Sequence, residues 1–174
     1  MTVTRAPYKV LKSKIVRLAL VIIITMITAS LSAQEFPPRP IEVTTSQALS
    51  FGAFTLGATG GTVTVTPGSI RTSSGDIILL NLGLTYTSAL FEITANPGTV
   101  ISILNGPDEV LPGSNGGSIT LTIGDSDPVS PFVTEAEPPL TTPVSIGGIL
   151  TVGNILANPA GDYSGTFSIT FNQE

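Results

Sequence analysis

The chain has 174 residues, with 7 Lys or Arg, 12 Asp or Glu, and no Cys, His or Trp, which removes thiol chemistry, histidine-based metal sites and every Ser-His-Asp or Cys-His catalytic arrangement. Charged residues make up 11% of the chain, against about 25% in an average soluble domain, and 18 Gly with 14 Pro speak against a helical composition. The length suits one domain that buries a core without disulfide staples.

Five bases, Arg5, Lys9, Lys12, Lys14 and Arg17, precede an apolar run over residues 18–27, and the small-residue stretch Thr-Ala-Ser-Leu-Ser-Ala follows over 28–33. Basic, apolar and small segments in that order are the signature of a secretory signal peptide. The run is about half the roughly 20 residues that cross a bilayer, so a permanent transmembrane helix is the weaker reading. The expected organisation is a signal peptide over 1–33, cut after Ala33 with Ser30 and Ser32 as alternatives, then a Pro-rich leader over 34–40 and one domain over 41–174. The expected destination lies outside the cytoplasm, in the periplasm, on the cell surface or in the medium. Beyond residue 33 only Arg39 and Arg71 remain against all twelve acids, a formal net charge of −10. Such a polyanion repels nucleic-acid phosphates and anionic lipid, so neither is an expected partner, and no membrane span is expected after cleavage.

Three prolines within residues 37–40 hold the leader extended without ladder hydrogen bonds. From Ile41 onward, short runs rich in Val, Ile, Thr and Phe are separated by Gly, Pro, Asn and Asp. The predicted strands are 41–47, 49–55, 62–66, 76–82, 89–95, 99–104, 118–123, 143–152 and 163–171. Residues 62–66 and 118–123 put aliphatics on one face and hydroxyls on the other, which gives one core face and one wet face. Residues 76–82, a nearly continuous apolar run, predict a central strand covered on both sides. The terminal run places Tyr163, Gly165, Phe167, Ile169 and Phe171 on one side, with Phe167 and Ile169 in the core and Ser168 and Thr170 outward. About nine short strands predict an all-β fold, an antiparallel β-sandwich of immunoglobulin-like or pilin-like type, with a jelly roll or barrel as the alternative.

Asn96-Pro97-Gly98 and Asn158-Pro159-Ala160 read as two β-turns with Pro at the second position and an Asn side chain capping the backbone. Gly60-Gly61 and Gly116-Gly117 read as hairpin turns that need positive φ; without a lysine they do not read as phosphate loops.

The remaining candidates for chemistry are paired carboxylates: Asp108 with Glu109, Asp125 with Asp127, and Glu135 with Glu137. A glycosidase needs two carboxylates flanking a sugar and usually an aromatic platform, which a Trp-free chain supplies poorly. Calcium is the better use of Asp125 and Asp127, which read as a loop pair, although a hard cation wants about six to eight oxygens and a solvated acidic loop is the plainer reading. No catalytic residue, cofactor or bound metal is expected. The threonine-rich faces read as ordinary exposed strand surface rather than a glycan- or ice-binding array.

The segments Phe51-Gly-Ala-Phe54, Gly60-Gly-Thr-Val-Thr-Val-Thr-Pro67, Arg71, Val144 to Val152, and Ala160-Gly-Asp-Tyr-Ser-Gly-Thr-Phe-Ser-Ile-Thr-Phe171 resemble the exported bacterial family described as domain of unknown function 4402. The resemblance implies a small secreted β-sandwich similar to pilus and fimbrial subunits, and brings no activity with it. Gly161 stands fourteenth from the C terminus, where chaperone-usher pilins tend to carry glycine, but the penultimate residue is Gln173 in place of their tyrosine.

The function expected on these grounds is that of a non-enzymatic structural or adhesive surface protein, assembled by β-strand addition as in a fimbrial subunit. The candidate donor or edge strand begins at Ile41, Val43 and Thr45, which alternate with polar residues; its more ordinary place is in its own sheet. Expected partners are other copies of the chain through sheet edges, or a surface glycan or protein. The competing expectation is a small carbohydrate-binding or calcium-dependent recognition module.

Overall fold

The structure, a computed structural model, describes residues 39–174, so the signal-peptide reading and most of the leader lie outside it. The described residues form twelve strands and no helix: β1 (Glu42–Gln47), β2 (Ser50–Phe51), β3 (Phe54–Val65), β4 (Arg71–Leu79), β5 (Tyr86–Thr87), β6 (Ala89–Thr94), β7 (Val100–Asn105), β8 (Glu109–Pro112), β9 (Ser118–Asp127), β10 (Phe132–Val133), β11 (Thr142–Val152) and β12 (Ile169–Gln173). The fold is the expected antiparallel β-sandwich. The larger sheet is built around β11, whose one edge pairs first with β6 (Thr142↔Ile93) and then with β3 (Gly148↔Val65), while its other edge pairs with β9. Beyond these, β1 flanks β6, β4 flanks β3, and β8 flanks β9. A second, three-stranded sheet has the order β10-β7-β12, and β2 and β5 form a separate short pair.

Alternation decides which faces meet. In β9, Ile119, Leu121 and Ile123 are buried while the residues between them reach the surface, and β3 does the same with Val63 and Val65. With Ile93, Val144 and Ile146 these form one core with no exposure at Val63, Ile93, Val144 or Ile146. Across the layers, Phe91 of β6 meets Phe171 of β12 with ring centroids 5.3 Å apart and planes tilted by 59°.

Several expectations are corrected. The strand count rises because β5, β8 and β10 are only two to four residues long, too short to show a period. The run 76–82 is no central strand: β4 starts at Arg71 and lies at a sheet edge, with Ile77 buried and Ile78 and Leu82 63% and 69% exposed. An apolar run cannot by itself report cover on both faces, and here one face meets solvent. Gly60-Gly61 is not a hairpin turn but part of a bulge inside β3, where the register with β4 jumps between Leu56 and Gly61. The Asp76 carboxylate accepts from Ala58 N at 2.5 Å and Thr59 N at 3.3 Å and so satisfies the bulged backbone. Gly60 is required there, since its φ is +78° and a Cβ would lie 2.3 Å from the Val152 carbonyl oxygen. The true turn of this hairpin is Thr66–Ile70, closed by Thr66 N to Ile70 O at 3.0 Å. Gly116-Gly117 does turn the β8–β9 hairpin, with Gly113 N donating to Gly117 O at 3.1 Å.

Of the two Asn-Pro turns, one matches expectation. Thr99 N donates to Asn96 O at 3.2 Å, closing a β-turn with Pro97 at its second position. The other turn lies earlier, at Asn154, whose side-chain oxygen accepts from Leu156 N and Ala157 N. Asn158 is instead 3% exposed and ties two elements together, accepting from Gly153 N at 2.6 Å and donating to Ser118 O at 2.5 Å.

Candidate functional site

The bulge at residues 57–60 carries the outer half of the β3–β4 hairpin away from β11: Gly61 still faces Val152, but Phe54, Thr55 and Leu56 pair only with Leu79, Ile78 and Ile77 of β4. The edge of residues 54–56 that would continue alongside β11 has no strand beside it. After Val152 the chain turns through 153–158 and returns as an extended segment before β12. That segment runs beside β8 on one side, held by the bridge Gly113↔Tyr163 just after β8 and by Gly106 N to Ser168 O at 2.9 Å before it. Among the described residues, the backbone of Gly165 to Phe167 makes none of the backbone hydrogen bonds found outside the strands, while the bridge at Tyr163 turns Ser164 N toward Pro112 of β8.

Between these two edges lies a cleft of about 630 Å³. One wall is residues 48–56, with Leu84 and Thr85 at its rim; the other is 158–165 with Phe167; the floor is Leu111, Ile119, Leu121, Leu150 and Val152 from the larger sheet. Every floor residue belongs to the buried core. The pairings also fix direction. β3 and β9 are both antiparallel to β11, β8 is antiparallel to β9, and the segment through Tyr163 is antiparallel to β8. The two edges of the cleft therefore run in the same sense, and a strand lying antiparallel to both would restore the up-down alternation.

The wall 48–56 is held from behind by Arg71. Its Nη1 donates to Phe51 O at 2.9 Å and to Ala53 O at 3.1 Å, its Nη2 donates to Leu80 O at 3.0 Å, and its guanidinium lies 4.4 Å from the centre of the Tyr86 ring. Phe51 O and Ala53 O sit at the Gly52-Ala53 break between β2 and β3, and Leu80 O lies just past β4; Ala53 O also accepts from Leu80 N at 3.0 Å, so the guanidinium ties this break to the end of β4. In the sequence Arg71 stands out only through the family resemblance, and no local pattern marks this clamp or the cleft. The available signal is the Phe-Gly-Ala-Phe break at 51–54 together with one arginine in a chain otherwise without bases beyond residue 39.

The other predicted site residues fall as follows. Asp125 and Asp127 lie in strand β9, not in a loop, because β9 runs on to Asp127; period two puts both carboxylates on one exposed face. No group of three or more acids able to hold a metal ion occurs among the described residues. Ile41 precedes β1, and Val43 and Thr45 lie within it at the sheet edge, where Val43 faces Ile93 and Thr45 faces Phe91 across β1 and β6. All six residues of β1 are exposed, Val43 by 37%, and only Ile41 is half-buried against the core. Of the terminal set, Tyr163, Phe167, Ile169 and Phe171 are half-buried against the core and Gly165 is exposed, so the alternation holds while the depth is less than expected. The strand itself begins only at Ile169, since before it the segment has a neighbour on one side alone. Tyr163 and Phe167 line the cleft, and Ile169 and Phe171 do not.

No curated protein and no solved structure is matched by this chain. A family model described as domain of unknown function (DUF4402) matches residues 41–172, the whole of the sandwich from the start of β1 almost to the end of β12, and the chain belongs to that family.

Proposed function

We propose that the chain is a non-enzymatic, exported structural subunit that associates with copies of itself by β-strand addition, the added strand lying in the cleft between residues 48–56 and 163–167. One observation carries this reading: the open edge of β3 at residues 54–56 and the extended segment 163–167, running in the same sense, flank an apolar floor with no strand between them. A sandwich buries its core by completing both layers, and an incomplete layer with open backbone edges is a template for another extended segment. Export rests on the order of basic, apolar and small residues over 1–33. A non-enzymatic role is supported by the lack of His and Cys and by a cleft whose lining includes a single carboxylate, that of Asp162.

The test is light scattering on chain 34–174 across a range of concentrations, with electron microscopy of the producing cells. The reading expects oligomers that persist on dilution and surface assemblies that disappear when the gene is deleted. A chain that stays monomeric at every concentration, with cell surfaces unchanged by the deletion, overturns it.

A further inference from the structure

We infer that the strand accepted by the cleft is residues 41–47 of a second copy of this chain, antiparallel to both walls; the inference rests on the strand-addition reading above. β1 is tied to its own fold by backbone pairing with one strand and by little side-chain burial. It stands at the edge of the larger sheet, pairs with β6 alone, and exposes all six of its residues. Elements with few buried side chains and edge hydrogen bonds open at the least cost. β1 also ends at Gln47, and the cleft wall begins at Ala48. Releasing β1 therefore requires a swing at that junction and leaves the rest of the wall clamped by Arg71.

What β1 gives up and gains can be compared directly. In its own sheet it has one neighbouring strand and its Val43 remains 37% exposed. In the cleft it would have a strand edge on each side, and the face carrying Ile41, Val43 and Thr45 would close over Leu121 and Leu150, with Glu42, Thr44 and Ser46 outward. The segment's alternation supplies what the site asks for, an apolar face toward the floor and a polar face toward water.

Because the native chain has no cysteine, engineered pairs report without background. Donor variants Val43→Cys, Thr44→Cys and Thr45→Cys, spanning both faces, are each mixed with an acceptor variant Ser164→Cys and oxidised, with oligomers followed by light scattering in the same samples. Ser164 lines the cleft and is exposed. The expected result is a disulfide between copies for at least one donor position, lost when synthetic peptide 41–47 is present in excess. Thr44→Cys mixed with Glu92→Cys is the reference, since Thr44 faces Glu92 in the β1–β6 pairing. Oligomers in which Thr44→Cys bonds Glu92→Cys of a neighbour and no donor bonds Ser164→Cys overturn the inference while leaving strand exchange in place. Absence of any oligomer overturns the strand-addition reading itself, and the inference with it.

Discussion

Replacing Arg71 by Met keeps an apolar stem of similar length and removes the guanidinium, which isolates what the clamp does. Three carbonyls, those of Phe51, Ala53 and Leu80, lose a charged donor at 2.9, 3.1 and 3.0 Å, and Tyr86 loses a cation 4.4 Å from its ring centre. A hydrogen bond to a charged group contributes about 1.5–3 kcal/mol and a cation over an exposed ring about 0.5–1 kcal/mol. These do not add, because the site is only part-buried and water can replace some of the lost donors. The expected cost is therefore about 2–4 kcal/mol. With a urea dependence of about 2 kcal/mol per molar, the unfolding midpoint falls by about 1–2 M. Arg71→Lys should recover less than half, since a single ammonium lacks the planar fork that meets three carbonyls at once. Urea unfolding of the two variants, followed by circular dichroism with unchanged slopes, is the assay. A loss under about 0.5 kcal/mol for Arg71→Met, the range of an ordinary surface substitution, would refute the clamp.

In β4, Ile77→Ala should cost about 2–5 kcal/mol and Ile78→Ala less than about 0.5 kcal/mol, measured by the same unfolding; equal costs would restore the two-sided strand. Gly60→Ala should be poorly folded or heavily destabilised, because its Cβ meets the Val152 oxygen at 2.3 Å. Gly116→Ala, with φ +88° but open space around it, should lose only about 1–2 kcal/mol. Calcium should produce no saturable rise in melting temperature, and Asp125→Asn should melt as the native chain does in its presence; a calcium-dependent rise abolished by that substitution would return the recognition-module reading.

The parts of the fold legible in the sequence are those where burial on one face imposes a period. Residues 118–123 and 62–66 alternate because one side meets the core, and the strands lie where the alternation puts them, although β3 and β9 extend further. Residues 41–47, 89–95 and 143–152 are recovered nearly to the residue. What stays hidden depends on partners distant in the chain. Nothing local to Gly60-Gly61 separates a turn from a bulge; the difference is the Asp76 carboxylate, sixteen residues on from Gly60, binding the backbone of Ala58 and Thr59. The run 76–82 looks like an interior strand because apolarity is read without knowing which sheet edge it occupies. The cleft is defined by the absence of a strand on the cleft side of residues 54–56 and 163–167, each of which has a neighbour on its other side, and a missing pairing leaves no pattern in either segment. The alternation of Tyr163, Phe167, Ile169 and Phe171 is legible, but the difference between a strand paired on one side and on two is not.

The central claim is that the open edge at Gly165 to Phe167 receives a strand on assembly, and amide hydrogen exchange at those residues tests it most directly. In dilute chain 34–174 the amides that face the cleft should exchange quickly, since Gly165 to Phe167 make none of the backbone hydrogen bonds found outside the strands among the described residues. In concentrated, assembled samples, amides facing the cleft should slow by at least about a hundredfold, as pairing with a new strand requires opening before exchange. Assembled material in which the amides of Gly165 to Phe167 exchange as fast as in the monomer would contradict the account.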